Sequence, residues 1–354
     1  MKTIQVKTSN SYEVKIGTGI LSEVNQELQD NQKVAIITDE TVAFLYLEKL
    51  KNILQKEGHE AEVFMFPSGE ESKCIKVLSC LLEWLADMQM TRSDTIIAFG
   101  GGVTGDLAGF AASIYLRGIA YIQIPTTFLA MIDSSVGGKT GIDLQAGKNL
   151  AGSFWQPKSV ICDIDLLETL PEEIFSEGSA EAIKYGILGD AKMFELFCNG
   201  EVQEELEDII YRCIDIKRDL VEEDEFDIGS RQLLNLGHTF GHCVEKLSAF
   251  EISHGNAVAI GLAIMAEAAF SHGDCDMEVR DEIIKCLERN GLSLHCPYSA
   301  EEMVEVMKLD KKRRGNYVTL IIPKSIGECT LQNKTLKEVE DYLRSGLQGD
   351  SVNG

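Results

Sequence analysis

The 354 residues carry 57 acidic and 33 basic side chains, a formal net charge of −24. That field repels nucleic acid and anionic membrane surfaces, and the one basic cluster, KLDKKRRG at 308–315, is too sparse to reverse it. No run of about 18 apolar residues occurs that could form a transmembrane helix, and ten cysteines without a CxxC pair argue against a disulfide framework or a cysteine-rich zinc site.

The length and a hydrophobic content of 44% suit two domains, each with its own core. Residues 1–16 alternate apolar and polar side chains, which predicts a hairpin. They lack an apolar signal core, so a cytoplasmic protein is expected. Strands and helices then alternate. KVAIITD (33–39), AEVFMFP (61–67), DTIIAFG (94–100) and IAYIQIP (119–125) read as buried strands. The segments 41–58 and 71–90 read as helices between them. This alternation predicts an α/β fold, a Rossmann-like parallel sheet covered on both faces.

GGGVTGD at 100–106 ends a strand and opens a helix, where such sheets bind dinucleotides, although its spacing is not GxGxxG. A plain tight turn is the competing reading. Asp39 and Glu70 would line the same edge, as ribose partners or as helix caps. From Gln123 the chain becomes glycine-punctuated and polar, with Thr126, Thr127, Asp133, Lys139, Lys148 and Asn149, the composition a phosphate and polyol site needs. Beyond Pro171 the alternation stops. Residues 172–224, 231–248, 255–271 and 276–290 read as helices, and 317–331 as a late hairpin. The expected domains are therefore 1–171, Rossmann-like, and 172–354, mainly helical.

Three of the six histidines fall in RQLLNLGHTFGHCVEKLSAFEISH, residues 231–254. His238 and His242 stand four apart, on one helical face, and His254 follows after a break. Clustered with Arg231 and Asn235, they read as a metal site with His238 and His242 as paired ligands.

Taken together, GGGVTGDLAGFAAS, YLRGI, IPTTFLAMIDSSVGGKTGID, GKNLAGSFWQP, EGSAEAIKYG, RQLLNLGHTFGHCVE and HGNAVAIGL resemble the 3-dehydroquinate synthase family, in order and spacing, from about residue 35 to about 328. The resemblance implies a Rossmann-like domain, a helical domain and an active site in the cleft. It implies conversion of 3-deoxy-D-arabino-heptulosonate 7-phosphate into 3-dehydroquinate and phosphate, with NAD reduced and reoxidised within one turnover and zinc or cobalt as the metal.

By the same resemblance the metal ligands are Glu181, His238 and His254, and His242 contacts substrate and moves a proton. Asp133, Lys139, Asn149, Lys184, Lys217, Arg231 and Asn235 complete the substrate shell, with one of Lys311 and Lys312. Arg231 takes the carboxylate; Lys139, Asn149 and Asn235 take the phosphate. Arg117 reaches the neighbouring site of a homodimer. NAD is held by Asp39, Glu70, Lys73, Gly101, Gly102, Val103, Asp106, Thr126, Thr127, Lys139, Lys148 and Thr169. The chain departs from the family pattern at Asn256, commonly glutamate, and at Cys243, Ser153 and Thr104. The competing readings are a sister sugar-phosphate cyclase such as amino-dehydroquinate synthase, a metal-dependent polyol dehydrogenase, and a non-catalytic sugar-phosphate sensor.

Overall fold

The computed structural model describes residues 1–314, 317–349 and 352; the side chains of 309–314, Lys311 and Lys312 among them, lie outside that description. The chain divides into two compact units. One comprises Met1–Leu170 with Lys217–Phe226, the other Pro171–Ile216 with Asp227–Gly354. Among the described residues no helix is long and apolar enough to cross a membrane.

The first unit is built on a seven-stranded sheet. Its strands are β1 (Lys2–Val6), β2 (Tyr12–Gly17), β3 (Val34–Asp39), β4 (Ala61–Phe66), β5 (Thr95–Gly100), β6 (Ala120–Pro125) and β9 (Ser159–Asp163), in the order β1-β2-β9-β6-β5-β3-β4. β1 and β2 form the antiparallel hairpin expected at the N-terminus, and every other pairing is parallel. β5 is buried along its whole length and β3 along all but its last residue, as their apolar runs require of strands covered on both faces.

The crossover helices are α1 (Glu40–Lys56), α2 (Ile75–Asp87) and α3 (Gly102–Ile114). Leu78, Leu81 and Leu85 point inward from α2 at helical spacing. α3 presents Leu107, Ala108, Ala111 and Ala112, small enough to lie close on the sheet. β3 leads through α1 outward to β4, whereas β5 leads through α3 to β6 on its other side. The strand order therefore reverses between β3 and β5, and their carboxyl ends frame a crevice. The stretch after β6 is not one open loop. It makes a single π-helical turn at Ala130–Ser134 and then an antiparallel hairpin, β7 (Lys139–Leu144) with β8 (Gly147–Phe154).

The second unit holds α4 (Glu172–Gly189), α5 (Ala191–Asn199), the first part of α6 (Leu206–Glu223), α7 (His238–Leu247), α8 (His254–Ser271), α9 (Met277–Arg289), α10 (Ala300–Arg314) and α11 (Leu336–Gly346). It also holds the hairpin expected late in the chain, β10 (Tyr317–Ser325) with β11 (Glu328–Thr335). The helix expected over 172–224 is three helices. Asp190 breaks it by capping α5, accepting from the Met193 N–H at 3.1 Å, and Gly200 closes α5 in the left-handed region at φ 79°. The helix expected over 231–248 is also broken. Ser230–Asn235 is a 3-10 turn, and Gly237, at φ 78°, redirects the chain into α7. α8 is buried nearly all round, as its unbroken apolar run demands.

Candidate functional site

In the second unit, three side chains from three helices converge. Glu181, fully buried on α4, turns its Oε1 toward the Nε2 atoms of His238 and His254, each 3.2 Å away. The potential ligand atoms of Glu181, His238 and His254 lie within 4.8 Å of one another. Lys184, one turn along α4 and 1% exposed, faces the other oxygen of Glu181 as an ion pair without a well-aligned hydrogen bond.

The local sequence explains the convergence. His238 opens α7 directly after the left-handed Gly237, and its Nδ1 lies 3.1 Å from the Leu236 carbonyl. A carbonyl can only accept, so Nδ1 is the donor in this contact and Nε2 is the nitrogen turned toward Glu181. His254 opens α8. The next residue, Gly255, lets α8 approach α4 so closely that a Cβ there would stand 2.3 Å from the Glu177 carbonyl oxygen, one turn before Glu181.

Behind His254 lies Glu245, 5% exposed on α7, whose Oε1 takes the His254 Nδ1–H at 3.3 Å. Sequence reasoning missed this residue. Its signal was a carboxylate seven positions after His238, on the same helical face. Asn256, two residues after His254, donates to Ser253 Oγ at 2.9 Å.

Full burial works against the Glu181 charge, yet Lys184 and His238 hold its carboxyl well below the usual range. Burial likewise opposes a charged His254, but Glu181 and Glu245 push it up to about 10. His242 does not face Glu181. Its ring meets that of His238 edge-on, with centroids 5.3 Å apart, and its side chain is 53% exposed. Burial of the ring's inner side and the neighbouring His238 lower its pKa. The spacing-based pairing of His238 with His242 therefore gives way to the set Glu181, His238 and His254. Arg231, 2% exposed, and Asn235 sit on the 3-10 turn that leads into α7, not on the histidines' helix.

In the first unit, Asp39 ends β3, and Glu70, Gly101, Thr126 and Thr127 follow the carboxyl ends of β4, β5 and β6. Asp39 caps α1, its Oδ1 accepting from Thr41 N–H at 2.9 Å, Val42 N–H at 3.1 Å and Ser68 Oγ at 2.8 Å. Gly101 precedes α3, whose N-terminus has no side-chain cap, and a Cβ on Gly101 would stand 3.0 Å from Thr127 Cγ2. Val103 lies in the first turn of α3.

Lys73, 5% exposed, ties Glu70 at 3.0 Å, Asp106 at 3.3 Å and Asp143 at 3.9 Å into one cluster. Burial raises Asp106 to about 6, against the pull of Lys73. Burial opposes the Lys73 charge, but the carboxylates outweigh it and raise its pKa. Asp143 also accepts the Asn149 N–H at 2.7 Å. Lys217, buried on the part of α6 belonging to this unit, donates to both the backbone oxygen and Oδ1 of Asp133 at 2.7 Å. Thr169 pairs with the Tyr46 hydroxyl at 2.6 Å, Lys148 is half-buried, and Lys139 is exposed at the start of β7. Arg117 is exposed at a kink where it and Leu116 both have positive φ.

Two sequence profiles match the chain, "3-dehydroquinate synthase N-terminal" over residues 63–177 and "3-dehydroquinate synthase C-terminal" over 178–313. The 3-dehydroquinate synthase of Clostridium kluyveri is 40% identical over 353 residues, covering 97% of this chain and 98% of the relative. That of Streptococcus thermophilus is 42% identical over 344 residues, covering 94% and 97%. Among solved structures, a 2-epi-5-epi-valiolone synthase from Streptomyces hygroscopicus with NAD+ and Zn2+ bound superposes with a TM-score of 0.88 at 24% identity, over 98% of this chain and 99% of that one. A 2-deoxy-scyllo-inosose synthase complexed with carbaglucose-6-phosphate, NAD+ and Co2+ gives 0.86 at 24%, over 98% and 100%. An iron-containing alcohol dehydrogenase gives only 0.64 at 15%, over 98% and 99%. With both profiles in sequence and relatives at about 40% identity along nearly its whole length, the chain belongs to the 3-dehydroquinate synthase family.

Proposed function

We propose that this chain converts 3-deoxy-D-arabino-heptulosonate 7-phosphate into 3-dehydroquinate and phosphate, in the shikimate route to aromatic amino acids. The observation that carries the reading is the full-length similarity to 3-dehydroquinate synthases; the chemistry of the described side chains agrees with it.

The residues fit both expected cofactors. One buried carboxylate and two imidazoles form a donor set that leaves positions open, as a catalytic zinc or cobalt ion needs. At the strand-order reversal, glycines and an uncapped helix N-terminus suit a pyrophosphate, and Asp39 and Glu70 suit ribose hydroxyls. Glu181, His238 and His254 would hold the metal. Asp39, Glu70, Lys73, Gly101, Gly102, Val103, Asp106, Thr126, Thr127, Lys148 and Thr169 would hold NAD. When bound, the metal supplies Lewis acidity toward substrate hydroxyls, and NAD supplies an acceptor for a hydride that is later returned.

The chain's own residues bind and orient the substrate. Arg231 forks onto the substrate carboxylate, which a lysine could meet only as a point charge. Lys139, Asn149 and Asn235 hold the phosphate, and Arg117 of one protomer reaches the other's phosphate in a homodimer. Lys184, paired with Glu181, and Lys217, aimed by Asp133, supply fixed cations that need no reorganisation. His242 contacts the substrate and takes part in proton transfer. One of Lys311 and Lys312 supplies a further substrate contact. The protein works in the cytoplasm.

The test is phosphate release from 3-deoxy-D-arabino-heptulosonate 7-phosphate with catalytic NAD and zinc, followed together with NADH absorbance. Stoichiometric phosphate without net NADH is expected. NADH accumulating without phosphate would assign a dehydrogenase, and turnover of the amino analogue alone would assign an amino-dehydroquinate synthase.

A further inference from the structure

Away from Glu181 and its partners, the second unit contains a cavity of about 400 Å³ between α5 and α9, and Cys198 and Cys286 both line it. α5 and α9 pack directly on one another, and the two cysteines face the same space between them. Cys198 is partly exposed near the end of α5, and Cys286 is buried on α9, 1% exposed. Among the ten free cysteines, eight play no part in this cavity, and Cys80, on α2, is the exposed one.

The flanking residues fix the register of the two helices. Arg289 Nη2 donates to the Asn199 carbonyl at 2.7 Å, and Asn290 Nδ2 donates to the Phe197 carbonyl at 3.3 Å, so the residues on either side of Cys198 are tied to those just after Cys286. Asn290 is itself held by Ser176, whose hydroxyl donates to its carbonyl at 2.5 Å. The charges around the cavity are mixed: Lys285 and Arg289 against Glu195 and Glu282. The Cys286 thiol beside Cys198 lowers the Cys198 pKa, with Arg289 assisting against burial and the two glutamates, whereas Cys286 is pushed up. One thiol is therefore suited to attack an oxidant and the other to resolve the product.

We propose that Cys198 and Cys286 form a peroxide-oxidisable dithiol site that closes to a disulfide stapling α5 to α9. The Cys198 thiolate attacks one oxygen of hydrogen peroxide, the O–O bond breaks, and hydroxide leaves, taking up the proton the thiol gave off. Cys198 becomes a sulfenic acid. The Cys286 sulfur then displaces the sulfenic oxygen as the S–S bond forms, and its proton joins the departing hydroxide as water. Two thiols are oxidised by two electrons and one peroxide is reduced to two waters. Both helices pack on α4, the helix carrying Glu181, so the staple bears on the frame of the metal-ligand set without touching a ligand.

The test uses the full-length protein treated with stoichiometric hydrogen peroxide, followed by alkylation and a non-reducing peptide map. A single linked peptide joining Cys198 to Cys286, lighter by about two hydrogens and released by dithiothreitol, is expected. Closing a loop of about 90 residues should raise the melting temperature by roughly 5–10 °C in the oxidised form. Cys286→Ser should stop at a sulfenic acid on Cys198 that dimedone traps, and Cys198→Ser should give neither the link nor the melting shift. A map in which Cys198 and Cys286 stay unlinked while Cys80 is oxidised would overturn the proposal, whether or not the variants fold.

Discussion

At the scale of single residues, the candidate metal set depends on a carboxylate outside it. Glu245 holds His254 by its Nδ1–H, which keeps Nε2 aimed at Glu181. An outer carboxylate of this kind typically changes metal affinity by about 10–100-fold. Glu245→Ala should therefore weaken cobalt binding by roughly that factor, measured by competition with a chromophoric chelator. Glu245→Gln, which keeps an acceptor, should fall between; equal affinity in all three proteins would remove Glu245 from any positioning role. Glu245 was hard to find in the sequence because one glutamate on a helix is by default a solvated residue, and only the fold turns it inward. Asp106 gives a pH prediction. Its folded pKa of about 6 lies above its ordinary value of 3.8, so the folded state binds the proton more tightly. That contribution is complete below about pH 4 and is lost as pH rises through about 6, by up to about 3 kcal/mol. Asp106→Asn cannot ionise. Its melting temperature relative to the parent should climb between about pH 4 and pH 7 and level off above. A difference that stays constant across that range would mean Asp106 is not shifted upward.

At the scale of elements, the approach of α8 to α4 depends on the missing side chain at Gly255. Gly255→Ala places a Cβ against the Glu177 backbone, so the helices must part. The expected cost is about 1–3 kcal/mol, read as a lower melting temperature, together with weaker metal binding because His254 moves with α8. Gly189→Ala is the control, since nothing lies within 4 Å of a Cβ there. If both substitutions behave alike, the close approach does not position His254. The same elements divide what was legible in the sequence from what was not. β3 and β5 were legible because an apolar, β-branched run of six residues has few other uses. The breaks at Asp190 and Gly237 were not, because neither Gly-Asp-Ala nor Leu-Gly-His interrupts the apolar periodicity around it. Their effect is in the backbone, a cap at one and a positive φ at the other. The metal set needed Glu181, whose neighbours in sequence give no sign that it will meet two imidazoles from α7 and α8.

At the scale of the whole molecule, the return of Lys217–Phe226 to the first unit was illegible, because α6 has one amphipathic pattern from end to end. What assigns its last part is long-range pairing: Lys217 to Asp133, and Glu225 to the Ser9 hydroxyl, 216 residues away. The proposed homodimer, with Arg117 acting across it, can be tested without a structure of the complex. Arg117→Ala and His254→Ala should each abolish most turnover alone, one by removing a phosphate contact and the other a metal ligand. If Arg117 serves the neighbouring site, a mixed dimer rebuilds one complete site, since the Arg117→Ala subunit keeps its own His254 and borrows its partner's Arg117. Random exchange of equal amounts makes about half the dimers mixed, each with one working site of two, so about a quarter of the parent activity should return. If Arg117 serves its own subunit, every site in the mixture lacks one of the two residues, and mixing restores nothing above the two variants alone.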